Sequence, residues 1–433
     1  MSSMDRALGR SERWYWIADQ YSCINVVAQL RMTADIDAPR VEKALKDLRA
    51  LYPSLGARIV TDGLGKNPRF VTEGTGPTPL RVGTSSAETE VDHELNERFA
   101  PHDPLFRAVY IPNGGCVLLT MSHVLFDGIS AATLVKAFVA VATDSVDDEG
   151  QGAVRAALET LIPRKYRGWR ALILILAMQL RQLLVLLRRP RRLAIDTHVP
   201  FDQRKSRAIG KELGPEDMSS VIERCRREQV TVHGALSAAM VRAVAEDLAA
   251  STPSVTPTIG LGSPIDLRRH LEPALGHDLG VYVSSIFTFH TLTSGISLWR
   301  IAREVNEQME RAVARGEPFT LLRFSELIGY HRPERSKDVL RLVEARGPGN
   351  VTLTNLGRVD LPQRAGLLGV QEVRFYAALS VSGYFLGMPS TTNGKLFWSF
   401  VYVEGILKRA RAERLASKCL ESLMAGVRER STP

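Results

Sequence analysis

Residues 116–130 read CVLLTMSHVLFDGIS, and the parsing of this stretch decides the fold. The run from Cys116 to Met121 is apolar and reads as a buried strand. It stops on His123. Asp127-Gly128 then turns the chain into ISAATLVKAFVAVA, a segment of helix-forming composition. A histidine at the end of a strand projects from the rim of a sheet. Its neutral imidazole can take a proton near pH 7, which suits a general base. Asp127 is too near in sequence to be an independent second base and reads as the anchor of the turn, paired with a cation. Gly128 either lets backbone or substrate approach closely or adopts φ > 0. On its own the HxxxDG pattern fixes only three positions. FDG is a common turn, and a lone histidine at a strand end is more often structural than catalytic.

Upstream, LFRAVYI, the turn PNGG and CVLLTMS form a predicted hairpin. Further back, DAPRVEKALKDLRALYPSL places Val41, Leu45, Leu48 and Leu51 at helical spacing, with Asp37 as N-cap. GARIV and NPRFV read as short strands, and ETEVDHELNERF as a helix with a polar face. TDSVDDEGQG closes the first lobe. In the second half, GPEDMSSVIERCRREQVTVHGALSAAMVRAVAEDLAA reads as two helices joined at Gln229–Thr231, with Thr231 as N-cap. SLWRIAREVNEQMERAVARG is a helix stopped by Gly316. SVTPTIGLGSPIDL, NVTLTNLG, VQEVRFYAAL and GKLFWSFVYV are strand-like, with Asn393-Gly394 as a hairpin turn. ILKRARAERLASKCLESLMAGV is the last helix.

The chain has 433 residues, too many for one ordinary core and suited to two lobes of roughly 200 residues each. Its 45% hydrophobic and 24% charged content exclude a disordered or fibrous protein. The net charge of +9 suits anionic small molecules, anionic lipids or an acidic protein, or is a solvated basic surface. There is no zinc-finger spacing and no RNP-like aromatic run, so no nucleic acid partner is expected. Cys23, Cys116, Cys225 and Cys419 are far apart, so no metal site or redox pair is expected, and Cys116 reads as a core thiol. MSSMDRALGRSERWYW has no apolar h-region, and a cytoplasmic location is the expectation.

The order strand, His-x-x-x-Asp-Gly, helix near the end of a first lobe resembles the condensation-domain and chloramphenicol-acetyltransferase-like acyltransferase superfamily. Four further segments carry the likeness in the right order. VEKALKDLRALYPSLGARI resembles the early helix and strand of these proteins, and VTVHGALSAAMVRAV the helix that opens their second lobe. SPIDLRRHL resembles their strand ending in Asp-Leu-Arg. VTLTNLGRV is similar to the Asn-x-Gly strand of the polyketide-associated mycobacterial lipid acyltransferases. The resemblance implies an α/β fold of two lobes, each a mostly antiparallel or mixed sheet with helices, and an active-site tunnel between them. The divisions expected are residues 1–150 for the first lobe, 151–210 for a basic and apolar crossover, and 211–433 for the second lobe.

By the same resemblance, His123 deprotonates an acceptor that attacks a thioester. The donor is then acyl-CoA or an acyl carrier protein (coenzyme A or phosphopantetheine thioester), with no permanently bound cofactor. Asp127 and Gly128 support the site, Arg268 is the candidate ion-pair partner of Asp127, and Asn355 is a candidate substrate-binding residue. The acceptor expected is a hydroxylated, lipid-like or secondary-metabolite molecule. Ser122 replaces the first histidine found in many relatives; side chains alternate along a strand, so this loss leaves His123 in place. It does weaken the match to the peptide-forming branch. There is no DFGWG segment of the plant-type enzymes, and no GxSxG elbow for a serine nucleophile. The lipid-acyltransferase and alcohol-acetylating branches fit best. An amide-forming condensation domain and a non-catalytic docking protein of the same fold are the alternatives.

A second feature stands apart. From Ala171 to Leu187 only Gln179, Arg181 and Gln182 are polar. Seventeen helical residues span about 26 Å, short of the ~30 Å hydrocarbon core. Arg164, Lys165, Arg167 and Arg170 precede the run, and Arg188, Arg189, Arg191 and Arg192 follow it. Positive charge at both ends argues against a span. Two readings stand: residues 164–192 contact an anionic membrane surface or a lipid, or they form a buried crossover helix whose arginines reach acidic partners.

Overall fold

In the computed structural model the apolar run before His123 is the centre of a sheet. The structure describes residues 4–33, 36–63, 66–145, 156–251, 256–347, 351–361, 369–378, 380–381 and 383–429. The strand Cys116–Ser122 is buried along its whole length. It pairs antiparallel with Asn25–Met32 on one side and Phe106–Ile111 on the other. Leu80–Val82 extends the sheet in parallel beyond Phe106–Ile111. The PNGG turn is a hairpin in which Gly114 and Gly115 take φ of 98° and 55°, values that favour glycine. Most of TDSVDDEGQG lies outside the described residues.

The fifth strand of this first sheet is Val370–Ala377, which pairs antiparallel with Asn25–Met32. It lies about 340 residues on in the chain. The second sheet runs in the order Val283–Thr291, Thr258–Asp266, Val351–Leu353, Phe385–Thr392, Lys395–Val403, Ser206–Leu213, with Gly357–Arg358 attached to Phe385–Thr392. Val351–Leu353 is parallel to both neighbours and the other main pairings are antiparallel, so the sheet is mixed. Asp5–Ala7, Arg69–Val71 and Arg58–Val60 make a small third sheet.

Local chemistry fixes the helices. Asp37 accepts from the Arg40 amide and starts Ala38–Leu51, whose Val41, Leu45 and Leu48 are buried. Thr231 Oγ1 accepts from the Gly234 amide and starts Val232–Ser251. Gly316, at φ 69°, stops Leu298–Ala314. Asn393 and Gly394 both have positive φ, the geometry of a type I′ hairpin turn. One apolar core lies around the first sheet and a second around the second sheet and its helices Val232–Ser251, Leu298–Ala314 and Arg409–Arg428. Together these form a mixed α/β fold of two lobes. All four cysteines are buried and unbridged, and burial pushes the Cys116 thiol up to about 12.

Candidate active site

After Ser122 the chain cannot continue as a strand. The amides of Leu125 and Phe126 both donate to the Ser122 carbonyl, at 3.2 and 3.1 Å, which closes a turn under His123. Asp127 then caps the helix Gly128–Ala142, accepting from the Ser130 amide at 2.8 Å. His123 is thereby held on a short arch between the buried end of a strand and a capped helix. It is 7% exposed. Its ring stacks on Tyr15 of the helix Arg10–Tyr21, with centroids 4.5 Å apart and planes 15° from parallel. Its Nδ1 is buried and has no hydrogen-bond partner among the described residues. Burial lowers the imidazole below its ordinary value, and the Asp127 charge and the carbonyls of His123 and Phe126 oppose that shift in part. His123 is therefore neutral at pH 7, the form that takes up a proton.

Asp127 has no capacity to spare. Oδ1 accepts from Arg268 Nη2 at 3.0 Å and from the Ser130 amide. Oδ2 accepts from Arg268 Nη1 at 2.9 Å and from the Tyr282 amide at 2.9 Å. Burial alone would raise this carboxyl, but the Arg268 charge and these donors hold it below the usual range. Arg268 is 1% exposed and uses every N–H it has. Besides the two bonds to Asp127, Nη1 donates to Asp266 at 2.8 Å, Nη2 to Ser130 Oγ at 3.0 Å, and Nε to the Asp278 carbonyl at 3.0 Å. Burial alone would lower the guanidinium, yet the two carboxylates raise it. A bidentate pair of this kind is rigid in orientation as well as strong.

Asp127 belongs to the first lobe, while Arg268, Asp266 and Tyr282 come from the second half of the chain. The ion pair thus joins the motif helix to the other lobe. Gly280 completes the joint. Its carbonyl accepts from the Asp127 amide at 3.2 Å and from Ser130 Oγ at 2.9 Å. Its φ is 151°, and a Cβ there would lie 2.5 Å from the Tyr282 ring. Gly128 is different. Of the two roles read from sequence, close approach is the one observed: a Cβ would lie 2.8 Å from Leu356 Cδ2, and Gly128 is not among the residues with positive φ.

Leu356 belongs to the TNLG stretch, so that loop packs on the start of the motif helix. Asn355 precedes it, is half-buried, and uses Oδ1 to accept from the Gly357 amide at 2.9 Å. The loop is pinned by the amides of Thr354 and Leu356, which donate to Gly387 and Pro389 of Phe385–Thr392. The structure therefore brings Asp127, Gly128, Arg268 and the Asn355 loop together around the turn that carries His123. Sequence reasoning missed Tyr15, Ser130, Gly280 and Tyr282. The WYW cluster of residues 14–16 was a signal for the first. The other three act mainly through backbone groups or a common serine, which no motif marks.

Residues 210–403 match the family model described as the phthiocerol/phthiodiolone dimycocerosyl transferase C-terminus. No curated protein matches the chain by sequence. Among solved structures, the trichothecene 15-O-acetyltransferase of Fusarium sporotrichioides is similar at 13% identity and a TM-score of 0.74, covering 98% of this chain and 96% of that one. Polyketide synthase associated protein 5 of Mycobacterium tuberculosis is similar at 15% identity and a TM-score of 0.65, covering 98% and 97%. The first condensation domain of the CDA synthetase is similar at 17% identity and a TM-score of 0.67, covering all of both chains. Residues 210–403 thus resemble the C-terminal part of that transferase family, and the two-lobed mixed-sheet fold of the chain is the fold of these solved structures.

Proposed function

We propose that the protein is an O-acyltransferase that moves an acyl group from a coenzyme A or carrier-protein thioester to a hydroxyl of a lipid-like acceptor, with His123 as general base. The observation that carries the reading is the contrast between two neighbours. Asp127 is saturated with donors and locked to Arg268, while His123 is buried, neutral and stacked in place. The match of residues 210–403 to a transferase family model, and the fold shared with solved acyltransferases, support the acyl-transfer chemistry. The family model's description favours a lipid acceptor over a peptide one.

The chemistry asks little more of the chain. The His123 imidazole takes the acceptor's hydroxyl proton as its oxygen attacks the thioester carbonyl carbon. The C–S bond then breaks, and the thiolate leaves as thiol with the proton returned from the imidazolium. Holding the two reactants in line supplies much of the acceleration. Asn355 is the candidate for binding a substrate carbonyl; its Oδ1 is committed to Gly357, so that contact falls to the Nδ2 amide.

The test is to incubate purified protein with a panel of acyl-CoAs and of alcohol and amine acceptors, following free thiol and product mass. The expected result is one ester formed per thiol released. Amide products without esters would favour the condensation-domain alternative, and binding of acyl donors with no product from any pair would favour a non-catalytic docking role.

A further inference from the structure

The helix Gly168–Leu186 plays no part in the site, and its exposure is unusual. Only Ala171, Ile175 and Met178 are buried along it. On the opposite side Trp169, Leu172, Ile173, Leu176, Leu180 and Leu183 are all more than half exposed, and Leu176 reaches 72%. Just past its end, Leu187 is 74% exposed. These positions recur every three or four residues, so they form one continuous apolar stripe. A stripe of this size is not left in water by a monomeric soluble protein without a reason.

The orientation of the stripe is fixed by the rest of the fold. Tyr166 stacks on Phe319 with centroids 4.7 Å apart, and it covers Gly316, where a Cβ would lie 2.2 Å from its ring. Arg181 pairs with Glu317 at 3.1 Å. At the far end the Arg191 amide donates to the Thr258 carbonyl at 2.7 Å, and Leu193 is buried. The helix is pinned along one side, and the other side faces out.

Charge says what covers it. Between residues 164 and 192 there are nine basic residues and no acidic one. Arg164, Lys165, Arg170, Arg188 and Arg189 are exposed at the two ends of the stripe. Trp169, 67% exposed, lies beside Arg170, whose guanidinium sits 5.6 Å from its ring centroid. An apolar stripe with an aromatic residue and cations at both ends matches the acyl-chain boundary of an anionic bilayer and its headgroups.

We propose that Gly168–Leu186 is an in-plane docking face for an anionic lipid bilayer, which it enters with its outer stripe while its inner side stays on the protein. The buried-crossover reading of this segment accounts only for Ala171, Ile175, Met178 and the Arg181–Glu317 pair. The proposal is independent of the acyl-transfer reading.

Vesicle flotation tests it with the full-length protein. Wild type is expected to bind vesicles of phosphatidylglycerol and phosphatidylcholine, and to bind pure phosphatidylcholine at least tenfold more weakly. Leu176→Glu/Leu180→Glu/Leu183→Glu should abolish binding. Arg188→Gln/Arg189→Gln should weaken it on the order of 10- to 30-fold, each basic residue near an anionic surface contributing roughly fivefold. Both variants should keep the wild-type melting temperature, because none of the five side chains packs inside. Equal binding of both vesicle types, or no binding at low salt, would overturn the proposal. So would a wild-type dimer that the Leu→Glu variant makes monomeric with no vesicle binding in either protein, since a second copy would then be the occupant.

Discussion

At the scale of single residues, two side chains four positions apart face opposite demands. Asp127 must stay charged and fixed, and four donors hold it so. The proposed general-base role needs a neutral His123, and burial disfavours its charged form. The second condition has a pH signature. Because burial disfavours the imidazolium, the folded-state pKa lies below the unfolded value of about 6.5. The rate on a soluble acceptor should therefore hold level as pH falls through 6.5 and drop only at lower pH. Stability moves the same way, since the unfolded chain takes up the proton first and the fold loses stability as pH falls below the ordinary histidine value. An acid limb in kcat/KM at or above 6.5 would contradict this environment. Tyr15 holds the ring by stacking, so Tyr15→Phe should keep activity near wild type. Tyr15→Ala should lower kcat several-fold with a smaller change in KM, read by steady-state kinetics on one acceptor.

At the scale of elements, the joint between the motif helix Gly128–Ala142 and the segment 266–282 is the weight-bearing contact. Removing one partner from a buried ion pair costs about 3–5 kcal/mol. Asp127→Asn and Arg268→Met should each lower the melting temperature and the rate together, and the double variant should cost much less than the sum. Full additivity in chemical denaturation would mean the two act separately. Several elements were legible because one local signal decided each: Asp37, Thr231 and Gly316 at helix ends, Asn393-Gly394 at a hairpin, and the apolar run before His123. The pairing of Val370–Ala377 with Asn25–Met32 was not legible. Both read as strands or could do so, but nothing in either says which strand it will meet hundreds of residues away. The helix Arg10–Tyr21, which carries Tyr15, was passed over as well, since its apolar and charged residues follow no clean helical stripe.

At the scale of the whole molecule, the two lobes meet at the turn that carries His123, and the proposed chemistry is placed there. The sequence motif named His123, Asp127 and Gly128, and the family likeness pointed to Arg268 and Asn355. What no sequence pattern could supply was the set of backbone carbonyls and amides from Gly280 and Tyr282 that locks the two lobes on Asp127. The proposed reaction needs that lock only to keep His123 in place, so the base can be removed without disturbing it. The most direct measurement is single-turnover acyl transfer from a soluble acyl-CoA to a short alcohol, comparing wild type with His123→Ala at equal melting temperature. The expected result is one thiol and one ester per turnover in the wild type and a loss of about 10²–10⁴-fold in the variant, the usual contribution of a general base. A His123→Ala protein that forms ester at close to the wild-type rate would contradict the account.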